Sequence, residues 1–306
     1  DETNAGGNSS GAIWDVVIHS SNPNIIILSV SYQSSDAGIY KSTDGGTTWY
    51  KVTSGLPSPD QIGRAQLAIS KSSPNVVVAL IAGMSGNFVG LYKSVDAGEN
   101  WSRTSLSFSG SDNYLMLYHC AVGIDPTDPN TIFAGSVFLW RTTNGGATWS
   151  AADILHPDQH YMSWSGTTAF VGNDGGIYKS TNKGSSWSNV NSNIVLTQFY
   201  PGLGLDKLNP SNMIGGTQDN GLFRKTSTGW SSELGADVYA AAIDYSNSSV
   251  AYAMSGNPYR TTNGGASWDL VSNGIVGFGW ATAPLVMSPT NPATLYFATD
   301  RFHKST

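Results

Sequence analysis

The chain has 306 residues, only 12% of them charged, with a net charge of −6, 35 glycines and one cysteine. A net-negative chain without a Lys/Arg cluster offers nothing to a nucleic-acid backbone or an anionic membrane, and one cysteine rules out an internal disulfide and a CxxC metal site. No apolar run approaches the roughly 18 residues of a membrane span, and the opening residues do not read as a secretory signal.

Taken in chain order, the sequence repeats one unit. A turn signal separates the first and second strands of each copy: Ser21-Asn22-Pro23-Asn24, Ser73-Pro74-Asn75, Asp128-Pro129-Asn130, Gly166-Thr167, Asn209-Pro210-Ser211-Asn212, Asn247-Ser248 and Asn291-Pro292-Ala293. An apolar strand follows each turn: IIILSVS, VVVALIAG, TIFAGS, TAFVG, MIGG, VAYAM and TLYFAT. Next comes an apolar, aromatic, basic, hydroxyl signature, as IYKS, LYKS, LWRT, IYKS, LFRK, PYRT and finally FHKST. Alternation in such a run marks a half-buried strand.

A box then closes the unit: STDGGTTW at 42–49, SVDAGENW at 94–101, TTNGGATW at 142–149, STNKGSSW at 180–187 and TTNGGASW at 261–268, with a shortened KTSTGW at 225–230. Asp or Asn followed by Gly is tight-turn chemistry, so each box predicts a hairpin whose Trp packs on its neighbour. The box tryptophans are separated by 52, 48, 38, 43 and 38 residues, close to the size of one four-stranded propeller blade.

The expected fold is therefore all-β, a seven-bladed β-propeller of four-stranded antiparallel blades. As one domain over 1–306 it has blades at about 11–56, 62–107, 114–153, 158–192, 196–233, 237–273 and 278–306, the last incomplete. Closure of that blade is left open between the N-terminal DETNAGG and residues beyond Thr306. The chain reads as a mature form or a piece of a longer one, and no oligomeric state is assigned. Seven of the fifteen basic residues (Lys41, Lys93, Arg141, Lys179, Arg224, Arg260, Lys304) share one blade position, which predicts an architectural role.

The box S/T-x-D/N-x-G-x-x-W resembles the BNR or Asp-box repeat of sialidases, xyloglucanase-type glycoside hydrolases, sortilin-type receptors and a photosystem II assembly factor. The resemblance implies a structural staple lying away from any active site. In an up-and-down blade the boxes share one end, and the turns between second and third strands, with the crossings between blades, share the other. Acids, histidines and aromatics collect there. From His156 to Asn220 the chain is similar to uncharacterised bacterial Asp-box proteins described as glycosyl-hydrolase-like or sortilin-like.

The ligand-binding candidates are Asp158, His160, Asp174, Gln198, Tyr200, Asp219, Asn220 and Trp280. Within HPDQH, alternate residues of an extended segment point the same way, making His156, Asp158 and His160 the metal candidates; a hydrogen-bonded histidine pair is the plainer reading. No cofactor is expected, and His119 and Cys120 read as core. Sialidase chemistry resembles an arginine triad clamping a carboxylate, and three of the six arginines are repeat-position residues, so no triad assembles. TLYFATDRF resembles the early L-Y-A-R-T-D-I-G-G stretch of xyloglucanases, which puts Asp300 at their catalytic Asp, although Arg301 and Phe302 depart from that pattern.

The expected function is a non-catalytic, extracytoplasmic module that binds a glycan or a protein. The alternative is a glycoside hydrolase of the xyloglucanase type using two of Asp174, Asp219 and Asp300.

Overall fold

The computed structural model describes residues 12–31, 36–152, 155–192, 194, 196–276 and 284–305. Among them every sheet is antiparallel and built from consecutive strands: six sheets have four strands and the seventh, Leu285–Met287, Leu295–Ala298 and Phe302–Ser305, has three. These are the seven blades of a β-propeller. Contacts divide the chain into two units, Asp1–Ile194 with blades one to four and Val195–Thr306 with blades five to seven.

Within each unit the first strand of a blade lies against the first strand of the next. The second strand of blade two, Val77–Ala82, is buried on both faces because it is sandwiched between blades one and three, which is why it reads as an unbroken apolar run. In the first unit Ile27 and Ile39 pack on Ala65, Val77 and Ile81, and Leu80 and Leu91 pack on Val122 and Ile132. Ala121 and Phe133 continue the stack onto Met162 and Val171. In the second unit Ile214 and Leu222 meet Ala241 and Ala251, and Met254 meets Phe297.

The boxes set the joints between blades. In the first, Ser42 Oγ donates to Asp44 Oδ1 at 2.8 Å, the Thr48 amide donates to the same oxygen at 2.9 Å, and Trp49 Nε1 donates to the Gly46 carbonyl at 3.0 Å. Gly45 and Gly46 take φ of +74° and +91°, a region closed to most side chains. Asn144, Asn182 and Asn263 accept the equivalent bonds elsewhere.

Four boxes also rest on the turn between the first two strands of their own blade, through Gly45 N to Asn24 O, Ala97 N to Asn75 O, Gly145 N to Asn130 O and Gly264 N to Ser249 O. These turns and boxes therefore share one end of their blades. Trp101 packs back on blade one, Trp149 on blade two, Trp187 on Phe133 of blade three and Trp268 on blade five. The shortened box differs: its Trp230 is 51% exposed, and its ring lies 5.8 Å from that of Phe199 of its own blade, tilted by 45°.

The repeated basic residue reaches forward into the next box. Lys41 pairs with Glu99 at 2.6 Å, Lys93 donates to the Gly145 carbonyl at 3.2 Å and Arg141 to Ser185 Oγ at 3.3 Å. Arg224, in the blade of the shortened box, pairs instead with Glu233 of its own blade; both side chains are buried, and Glu233 Oε2 accepts from Trp268 Nε1 of the next full box at 3.2 Å.

Candidate functional site

At the end of the blades opposite the boxes, three segments of the first unit converge. The first is the crossing from blade two to blade three. It is held by Arg64, whose Nη1 donates to the carbonyls of Leu117 and Tyr118 at 2.9 and 3.0 Å, and by Met116 N donating to Gly86 O at 2.9 Å. Arg64 also lies 4.7 Å from the centroid of the Trp14 ring. The crossing delivers His119 to the interior and leaves Tyr118 67% exposed.

The second segment enters blade four. Asp158 takes φ of +69° while its amide donates to Val137 O at 2.9 Å, and Gln159 is buried with Nε2 donating to Val137 O and His156 O. That left-handed residue breaks the extended alternation expected of HPDQH, so His156, Asp158 and His160 do not present one shared face. His156 Nδ1 instead lies 3.2 Å from the Pro157 carbonyl. The third segment is the hairpin Asn173–Gly176, where Gly175 N donates to Asn173 Oδ1 at 3.1 Å and Asn173 Nδ2 donates to Gln159 Oε1 at 3.3 Å. Gly175 is required by packing, since an added Cβ would sit 2.5 Å from the His156 ring.

These segments bring two histidine–carboxylate pairs side by side. His160 Nε2 lies 2.6 Å from Asp174 Oδ1, and His119 Nδ1 lies 3.2 Å from Asp158 Oδ1. The two imidazoles are 5.3 Å apart edge to face, and the Tyr118 ring stands over both, 5.0 Å from His119 and 5.3 Å from His160. The second pair is close enough to attract but misaligned, and Nδ1 of His119 makes no hydrogen bond. Burial pushes the His119 imidazole down, against the pull of Asp158, and pushes the Asp158 carboxyl up, against the pull of His119. Both groups are thereby driven toward their neutral forms.

Of the sequence candidates, Asp158, His160 and Asp174 thus lie together. His119 is buried as expected, yet it belongs to this cluster; its setting in the apolar run YHCAVGI concealed that. Cys120 beside it is a fully buried free thiol, as its surroundings predict.

The second unit gathers its own set at the same end of its blades. Tyr200 Oη donates to Asp237 Oδ1 at 3.3 Å, the Asp219 amide donates to the same oxygen at 3.0 Å, and the Tyr200 and Tyr239 rings lie 4.9 Å apart. Gln198 O accepts from Gln218 N at 3.0 Å, and Asn220 Nδ2 donates to Gln218 O at 3.1 Å. Burial, then the Asp237 charge, pushes the Tyr239 phenol up to about 12. Asp237 is the organising acceptor that sequence reasoning passed over in favour of Asp219. Asp300 is exposed in the turn before Phe302–Ser305, where it accepts from Thr299 Oγ1 at 3.2 Å. Trp280 lies outside the described residues.

No helix among the described residues is long and apolar enough to cross a membrane. No protein-family model matches the chain. It is 25% identical to a xyloglucanase of Hypocrea jecorina (strain QM6a), over 85% of this chain and 36% of that protein. It is 26% identical to a xyloglucanase of a Paenibacillus species, over 60% of this chain and 21% of that protein. The chain thus spans about a third or less of the length of these curated relatives. Among solved structures it is similar to the GH74 xyloglucanase of Xanthomonas campestris, at a TM-score of 0.50 and 16% identity, covering 97% of this chain and 51% of that one. That likeness shows the propeller fold, and the two curated relatives make the chain similar to glycoside hydrolases.

Proposed function

We propose that this chain is the glycan-engaging propeller of a xyloglucanase-type glycoside hydrolase, working outside the cytoplasm on a β-glucan chain of the xyloglucan class. The observation that carries it is Tyr118, a largely exposed ring standing over His119 and His160 beside Asp158 and Asp174. An exposed aromatic face next to a few fixed polar groups is what a sugar ring needs, since its C–H face stacks while its hydroxyls find donors and acceptors. The similarity to two xyloglucanases supports this class of glycan.

In this reading Asp158, His160 and Asp174 address sugar hydroxyls in the first unit, and Gln198, Tyr200, Asp219 and Asn220 do so in the second. The box residues serve as staples of the BNR or Asp-box kind and touch no glycan, in keeping with their position at the other end of the blades. Affinity electrophoresis through gels containing xyloglucan tests the proposal. Retardation of the wild-type chain, lost in a folded Tyr118→Ala variant, is the expected result; mobility unaffected by the polysaccharide refutes it.

Cleavage by this chain is a second reading, favoured by the same two relatives. It requires two carboxylates about 6.5–9.5 Å apart if inverting, one of them protonated near neutrality. Asp174, Asp219 and Asp300 remain its proposed carboxylates. Reducing-sugar release that disappears in Asp174→Asn or Asp300→Asn decides for it.

A further inference from the structure

Two histidines and a carboxylate from three separate segments meet in the first unit. His119 ends the crossing into blade three, His160 stands in the first strand of blade four (Gln159–Ser165), and Asp174 lies in that blade's Asn173–Gly176 hairpin. One donor atom from each lies within 4.8 Å of the others. A second, independent observation comes from His119 itself. The residue is 5% exposed and its Nδ1 is fully shielded without a hydrogen bond, although Asp158 Oδ1 stands 3.2 Å away. Buried polar atoms are almost always partnered, and leaving one unpaired costs about 1–3 kcal/mol.

From this we infer that His119, His160 and Asp174 form a binding site for a divalent transition-metal ion, with Asp158 beside His119 to orient it or to complete the coordination. Imidazole and carboxylate are the donors that zinc and its first-row neighbours take, and two histidines with one carboxylate leave a coordination position open. Donors held about 2.0–2.2 Å from an ion stand somewhat over 3 Å apart in a tetrahedron. His160 and Asp174, now 2.6 Å apart, would open slightly, and the His119 ring would close by up to about 1.4 Å.

The surroundings favour a preformed site. Gln159 is buried between the segments, bonding Asn173 beside Asp174 and the carbonyls of Val137 and His156 before His160. Arg64 fixes the carbonyls immediately before His119. Two carboxylates and two histidines also make the pocket attractive to a cation. The site differs from the His156, Asp158 and His160 set that the spacing of HPDQH suggests, because Asp158 takes a left-handed conformation and His156 lies against Pro157.

The test is a titration of the chelator-treated, folded chain with zinc, followed by calorimetry, and with cobalt, followed by its visible absorption. No glycan is present, so the outcome is independent of glycan recognition. One ion per chain is expected, with binding weakened at least about tenfold in His160→Gln and in Asp174→Asn and unchanged in His156→Gln. His160 is partly exposed, so its variant keeps the test readable even if substitution of buried His119 unfolds the chain. No heat and no cobalt band in the folded wild type would overturn the inference. So would binding that survives both His160→Gln and Asp174→Asn, or binding lost in His156→Gln.

Discussion

Asp44 shows what a single box residue does. Its carboxyl is held down at about 2, first by the Thr48 hydroxyl and amide and then by the Ser42 hydroxyl. A folded-state value below the ordinary 3.8 means that the ionised form stabilises the fold. That contribution is present above roughly pH 4 and is lost as pH falls toward 2. Asn fills the same place in three other boxes and accepts the same bonds, so Asp44→Asn is expected to fold normally and to lose this part of the acid sensitivity. Melting temperatures measured from pH 5 to pH 2 check it: the wild type falls more steeply than the variant, and parallel curves contradict the assignment. The effect is small because the group is exposed. At the same scale, the site was legible in part. His160 and Asp174 stood out as polar residues beside turn signals, whereas His119 was hidden in an apolar run. Asp237 was overlooked because NDGG- and QDNG-type turns draw attention to their own acids, and the acceptor here comes from the next crossing.

At the scale of elements, the boxes explain why a chain with few charges and many glycines holds its blades together. Each full box packs its Trp on the preceding blade where one precedes it in the unit, and Lys41, Lys93 and Arg141 reach into the box of the following blade. Trp101 is the most buried of them, and Trp230, in the shortened box, is half exposed. Trp101→Ala is expected to cost about 3–5 kcal/mol, as loss of a large buried aromatic does, and Trp230→Ala about 1 kcal/mol or less. Urea denaturation of the two variants measures the difference; equal losses would remove the packing argument. This asymmetry was visible in the sequence as a truncated motif. The partner of Arg224 in that blade was not, because Glu233 lies outside the box and also accepts from Trp268 of the next full box.

For the molecule as a whole, the repeat carried nearly all of the fold. The spacing of the box tryptophans, the opening turns and the apolar second strands correspond to seven sheets in chain order, the seventh with three described strands. A periodic sequence is easy to read because each unit buries its core against the next in the same way. Function is harder, because it sits in non-repeating turns and crossings whose contacts come from distant segments. Asp158 illustrates this: its backbone conformation, which no local motif announces, decides which side chains meet.

The central claim is that the glycan meets the end of the blades opposite the boxes. The most direct measurement is a calorimetric titration of xyloglucan oligosaccharide into the wild type, Asp44→Ala and Tyr118→Ala, with a thermal melt of each. The account predicts wild-type affinity with a lowered melting temperature for Asp44→Ala, and affinity reduced about tenfold or more with an unchanged melting temperature for Tyr118→Ala. Equal loss of binding in both variants, or unaltered binding in Tyr118→Ala, would contradict it.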